Sequence, residues 1–129
     1  MGTKAASFFT KKSKELAPLS FEEEHIEKIN LDELIANALQ QNDYRLAIRY
    51  MYLKTLKDLS VKNLIDWHFD KTNIDYYNEL TSPALQQNFK TVSYLYEHIW
   101  YGEFSVDDTS FSSAKKEFDN LKKAMNSNG

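Results

Sequence analysis

Few side chains in this chain of 129 residues could carry chemistry. The sequence has three histidines and no cysteine, so thiolate nucleophiles, disulfides and cysteine-based metal sites are excluded. His68 and Asp70 stand two positions apart, so on an extended segment both lie on the same side. There they could bind a metal ion if Glu97 supplied a third ligand. A metal-dependent regulator or enzyme using His68, Asp70 and Glu97 is therefore one hypothesis for function.

The sequence contains no established catalytic motif. Its histidines do not have the HExxH spacing that places two zinc ligands on one helical face. Gly102 is the only glycine between Gly2 and Gly129, so there is no glycine-rich phosphate loop. We therefore expect a non-catalytic protein that binds no cofactor.

A second group of candidate residues combines both charge signs with large aromatic rings: Arg49, Lys71, Glu97, Trp100 and Tyr101. In a structural interpretation, Arg49 and Glu97 pair across two helices while Trp100 and Tyr101 fill the core. In a functional interpretation, the group lines a groove for a partner peptide, with Trp100 or Tyr101 as the anchor and Arg49 as a charged clamp. The sequence leaves both interpretations open.

The charge distribution argues against nucleic-acid binding. The formal net charge is −3, and nucleic-acid recognition needs a basic surface. Arg45, Arg49, Lys54 and Lys57 belong to one predicted helix but do not share a face. We therefore expect no nucleic-acid partner.

Residues 1–29 are expected to form a flexible tether. Pro18 interrupts any helical pattern, and a basic block is followed by an acidic one: Lys4, Lys11, Lys12 and Lys14, then Glu22, Glu23, Glu24 and Glu27. A basic start of this kind is typical of the cytoplasmic side of a membrane helix. A solvated tail and a juxtamembrane tether both fit the residues.

Capping signals and apolar periodicity predict an all-α domain over residues 30–126, followed by a disordered tail over 127–129. Asn30 with Glu33, Asp43, Thr72 with Asp75, Ser82-Pro83, and Asp107 or Asp108 mark five helix starts. The first two helices are separated by a short joint and should form an antiparallel hairpin within a compact bundle. Residues 64–69 alternate in polarity, which fits either a short strand or an extended connector.

Three clusters, in this order, resemble the family catalogued as domain of unknown function 4129: Asp43–Arg49 with Tyr52 and Leu56, Lys71–Tyr76, and Tyr96–Gly102. The resemblance implies a C-terminal domain of bacterial membrane proteins. Such a domain follows a membrane segment, which this chain lacks. It would lie at the cytoplasmic face of the inner membrane. Its partners would be proteins encoded nearby, a MoxR-type ATPase or von Willebrand factor A-like proteins.

The family has no assigned activity, and the transglutaminase-like region of some members is absent here. The resemblance therefore implies a non-catalytic interaction or regulatory domain.

Overall fold

The computed structural model describes residues 30–102 and 105–128, which form five α-helices and no strand. They are α1 (Leu31–Gln40), α2 (Tyr44–Val61), α3 (Asn73–Glu79), α4 (Pro83–Tyr101) and α5 (Asp108–Asn128). The predicted all-α bundle is confirmed. Helix α5 continues two residues beyond the predicted end at 126. The predicted tether, residues 1–29, lies outside the described residues.

The helices begin where the sequence predicts, because each start carries a side chain that binds free backbone N–H groups. Asn30, Asp43, Ser82 and Asp107 each accept from the backbone N–H three residues on. Thr72 and Asp75 form a reciprocal capping box. The choice that the sequence left between Asp107 and Asp108 falls on Asp107, which precedes α5.

Helix α2 lies inside the bundle and contacts α1, α4 and α5. Its apolar residues are buried on several sides: Ala47, Ile48, Tyr52, Leu53, Leu56 and Leu59. The apolar stripes predicted for the last two helices are buried as well, with Leu85, Phe89, Val92, Tyr96 and Ile99 on α4 and Phe111, Ala114, Phe118, Leu121 and Met125 on α5. Trp100, the last residue of the predicted α4 stripe, is only half-buried. Each outer helix therefore contributes one face to a common core.

The first two helices form the predicted antiparallel hairpin. Lys54, in the second half of α2, forms a 2.5 Å ion pair with Asp32 at the start of α1. The turn between the helices uses a left-handed residue, Asn42, with φ of 57°. The N–H groups of Asn42 and Asp43 reach back to the carbonyls of Leu39 and Ala38, so the joint is a Schellman cap.

Helix α2 ends in the same way at Asn63, whose φ is 61°. The N–H of Asn63 donates to the carbonyl of Ser60, and that of Leu64 to the carbonyl of Leu59. Gly102, by contrast, ends α4 with a φ of −76°, so that end does not use the left-handed freedom of glycine. Asparagine fills the role usually given to glycine in this fold.

Residues 62–72, which we name the connector, join α2 to α3 without forming a strand. Ile65 is buried and Trp67 half-buried, whereas Phe69 is 48% exposed. Side chains bind the backbone where a neighbouring strand would otherwise do so. The Tyr76 hydroxyl donates to the His68 carbonyl (2.7 Å) and accepts from the His68 N–H (3.2 Å). The extended connector, one of the two predicted alternatives, is therefore what forms.

None of the helices in the described ranges is long and apolar enough to cross a lipid bilayer.

We predict that Asn63→Ala lowers the free energy of unfolding by about 1 kcal/mol, because a Cβ disfavours the left-handed conformation and asparagine tolerates it better than alanine. Asn63→Gly should leave stability equal or higher. Urea unfolding followed by circular dichroism measures both variants. Asn63 is exposed, so packing does not enter the comparison, and equal stability of the two variants would contradict this account of the turn.

Candidate functional site

Arg49 and Trp100, two of the predicted site residues, meet where α2 crosses the end of α4. The Arg49 side chain is only 2% exposed, although arginine usually stays at the surface. Its Nη1 donates to the Tyr96 hydroxyl at 3.0 Å. Its Cζ lies 4.4 Å from the centre of the Trp100 ring, which is cation–π geometry. A buried guanidinium is tolerated here because polar and aromatic groups surround it.

Arg45 lies one helical turn before Arg49 and contacts the same tryptophan. Its Cζ is 4.1 Å from the centre of the Trp100 ring, and its Nη2 donates to the Trp100 carbonyl. That carbonyl belongs to the last turn of α4, where the helix dipole favours cations. The two arginines thus stabilise the C-terminal end of α4, and Arg45, unlike Arg49, remains exposed.

Glu97 takes part in a different polar network, on the side of α4 that faces α3. Its Oε2 accepts from Nδ2 of Asn73 at 3.0 Å. Oδ1 of Asn73 accepts from the Tyr52 hydroxyl at 2.7 Å, and that hydroxyl lies 3.0 Å from Oγ of Ser93. The predicted pairing of Glu97 with Arg49 is therefore replaced by a bond to Asn73.

The network is buried, with Tyr52, Ser93 and Asn73 at most 3% exposed. Burial raises the pKa of Glu97 to about 7, against the opposing effect of the hydrogen bond from Asn73. Burial also raises the pKa of Tyr52 well above its ordinary value. Glu97 is therefore poised to change its charge near neutral pH, whereas Tyr52 stays neutral.

Lys71 lies at the end of the connector, and its contacts are to the connector and α3. Its Nζ forms a 2.5 Å ion pair with Oε2 of Glu79 and donates to the carbonyl of Asp66. Glu79 in turn accepts from the Asp66 N–H at 2.6 Å. Lys71 also lies 5.5 Å from the Tyr76 ring centre. These contacts give Lys71 a role in holding the connector against α3.

His68 and Asp70 contact each other, as their spacing suggests, with Nδ1 and Oδ1 2.5 Å apart. Both side chains are more than half exposed. Within residues 30–102 and 105–128, no group of three or more His, Asp or Glu side chains could hold a metal ion. Glu97, the third ligand in the hypothesis, is bound to Asn73 instead.

The five candidate partner-binding residues therefore do not form one surface. Arg49 and Trp100 lie together, Glu97 belongs to the Asn73 network, and Lys71 clamps the connector. Tyr101 is half-buried at the end of α4. Partner binding by this group stays a prediction, and the geometry supplies a structural role for four of its members.

Comparison with protein-family models, with curated proteins and with solved structures finds no match for this chain. The resemblance to the domain of unknown function 4129 family therefore stays a prediction drawn from its three residue clusters. The structure gives those clusters a physical meaning. They supply Arg45 and Arg49, the cap and Asn73 of α3, and the aromatic end of α4.

Sequence reasoning missed a groove of about 860 Å³ between α4 and α5. Its lining residues recur every three or four positions on both helices: Gln87, Thr91, Tyr94, Leu95 and His98 on α4, with Thr109, Ser110, Ser113 and Glu117 on α5. Tyr94 is 57% exposed and stacks on His98 with ring centres 6.1 Å apart. The only local signal was an aromatic residue outside the predicted apolar stripe of α4.

Replacing Arg49 should destabilise the protein far more than replacing Arg45. We expect Arg49→Met to cost about 2–4 kcal/mol, because the Tyr96 hydroxyl loses the guanidinium that it binds in the core and the Trp100 ring loses one of its two cations. Arg45→Met should cost below about 1 kcal/mol, the usual value of an exposed cation–π contact. Urea unfolding compares the two, and similar costs would show that Arg49 is not the structural arginine.

Lys71→Met should lower stability by about 1 kcal/mol, because the connector loses a half-buried ion pair and a backbone bond. The matched control is Lys62→Met at the other end of the connector, where the lysine is exposed. That change should stay within about 0.5 kcal/mol. Thermal unfolding measures both. A destabilisation by Lys62→Met as large as that by Lys71→Met would contradict the assigned role.

Proposed function

We propose that this chain carries a non-catalytic protein-interaction domain and that its binding surface is the α4–α5 groove. The observation that carries the proposal is the shape of this groove, which follows two neighbouring helices over several turns. From Gln87 to His98 the lining extends for about 17 Å along α4, at 1.5 Å per residue. Such a groove fits the apolar face of an amphipathic helix, whose anchors recur at the same spacing.

The chemical character of the lining supports a protein ligand. Leu95, Ile99 and Val106 provide apolar contact, and Tyr94 offers an aromatic surface of the kind enriched in interfaces. Hydroxyl groups of Thr91 and Ser110 can bind polar atoms along the edge. The lining carries charge of both signs, at Lys90 and Glu117, so it lacks the uniform positive field that nucleic acid needs.

The polar groups that could have carried out catalysis support the same proposal, because they serve the fold. Arg49 bonds to Tyr96, Glu97 to Asn73, and Lys71 to Glu79. Each is engaged in holding two elements together rather than in lining a shared cleft. A binding function therefore accounts for more of this molecule than an enzymatic one.

The family resemblance suggests the setting and the partner. In it, the domain is anchored through an upstream membrane segment at the cytoplasmic face of a bacterial inner membrane. The occupant of the groove is an amphipathic helix of the MoxR-type ATPase or of a von Willebrand factor A-like protein encoded nearby. Both the location and the partner are part of the proposal.

Adjacent serines on α5 allow a matched test of the groove. Ser113 lines it, whereas Ser112 does not, and both are exposed. We expect Ser113→Arg to weaken binding of the purified MoxR-type ATPase or von Willebrand factor A-like protein at least tenfold, because the long side chain fills the groove. Ser112→Arg adds the same charge and should bind like the unchanged protein. Isothermal titration calorimetry measures the affinities.

Binding that both arginine variants retain would place the interface elsewhere and overturn the groove. Absence of binding by the unchanged protein to either candidate would overturn the proposed partners. A photocrosslinking amino acid at position 94 then identifies which protein segment lies in the groove. Crosslinks to a second copy of this chain, or to another segment of the same chain, would contradict a hetero-partner in this groove.

A further inference from the structure

The short helix α3 is attached to the bundle at its first residue through polar bonds. Helix α3 has seven residues, too few to be stable alone, so its helical state depends on its contacts. Tyr76 and Leu80 supply its buried apolar contacts. Asn73, also buried, connects it to α2 through Tyr52 and to α4 through Glu97. The Asn73 side chain therefore supplies two of the hydrogen bonds that hold α3, and Nε2 of Gln86 on α4 donates a further one to the carbonyl of Tyr77 at 3.3 Å.

The proton of the Tyr52 hydroxyl is committed to Oδ1 of Asn73, so the Ser93 hydroxyl must donate to Tyr52. In this arrangement the NH₂ group of the Asn73 amide points toward Glu97. Glu97 is half-buried, and the amide of Asn73 is the hydrogen-bond donor that it has among the described residues. No ion pair joins Glu97 to another residue of the described ranges, and its donor there is a neutral amide.

We propose that Glu97 and Asn73 form a proton-sensitive latch that holds α3 and the connector on the bundle. With Glu97 neutral, the carboxyl group is accommodated in the buried network and α3 stays docked. When Glu97 loses its proton, a carboxylate is left half-buried beside a single amide donor, which is unfavourable. Undocking of α3 exposes that carboxylate to water and relieves the cost. Neither Glu97 nor Asn73 lines the α4–α5 groove, and the latch does not rest on the occupant proposed for it.

The direction of the pH response follows from linkage. In the docked state the pKa of Glu97 is raised to about 7 by burial, whereas a solvated glutamate ionises near pH 4.3. The docked state therefore holds a proton that the undocked state has lost between these values. Docking is strongest at acidic pH and weakens as pH rises through about 7.

The two phenols nearest the latch, Tyr52 and Tyr76, stay neutral in this range. Tyr52 faces Glu97 from α2 and Tyr76 approaches from α3, and burial raises the pKa of both phenols. Tyr96 is the neighbouring phenol on α4, and Arg49 of α2, a permanent cation, donates to it. Lys71 of the connector pairs with Glu79 at the far end of α3.

His98 follows Glu97 in the sequence but lines the α4–α5 groove. Substitution of His98 removes its imidazole and leaves Glu97 in place.

Hydrogen exchange of the full chain, corrected for intrinsic exchange rates, tests the latch between pH 6 and pH 8. We expect the opening constant of amides in the connector and α3 to rise up to about tenfold across this range, as linkage gives for the two pKa values. Glu97→Gln should remove that rise, since glutamine carries no charge. His98→Gln is the matched control and should keep it.

Several outcomes would overturn the latch. One is a pH-independent opening of α3 in the unchanged protein, and another is an unchanged pH response in Glu97→Gln. A rise shared equally by amides of α2 and α4 would indicate global unfolding instead of release of α3. If Glu97→Gln fails to fold, carboxyl NMR of the unchanged protein decides. A Glu97 midpoint near pH 7 is expected, and one near 4.3 contradicts the latch.

Discussion

The interior position of α2 is the constraint on which the other elements depend. Because α2 contacts three helices, much of its surface is buried, and the buried part includes Arg49 and Tyr52 at 2% and 0% exposure. Buried polar groups must be bonded inside the protein or they destabilise it. Their partners come from α3 and α4, with Tyr96 for the guanidinium and Asn73 for the phenol. Hydrogen bonds to buried polar groups and the burial of apolar side chains therefore both position α3 and α4 on α2.

This constraint also fixes the rotation of α4 about its own axis. The side chains that serve α2 and α3 follow one another at helical spacing on one face: Ser93, Tyr96, Glu97 and Trp100. Because that face packs against α2 and α3, the residues around Tyr94 and His98 face α5, where the groove forms. The position of the groove is thus a consequence of the buried network, although the two share no hydrogen bond.

The helices and their caps could be predicted because their signals are local. Ser82 and Pro83, or Thr72 and Asp75, determine a helix start within four residues. The burial of Arg49 could not be predicted, because its partner Tyr96 lies 47 positions away and arginine in a helix usually faces water. Opposite charge alone suggests a pair between Glu97 and Arg49, one of the two interpretations of the sequence, but α3 brings Asn73 to Glu97. The groove arises from the packing of two helices, so neither sequence segment contains it by itself.

The connector has a consequence for how the sequence can vary over evolutionary time. Most loops accept insertions, because their backbone binds water and their length costs little entropy. Here the backbone groups of Asp66 and His68 are matched to Glu79, Tyr76 and Lys71, all at fixed distances along the chain. One residue added between His68 and Lys71 shifts every match at once. In related chains this segment should therefore keep its length while its exposed residues, such as Phe69, change freely.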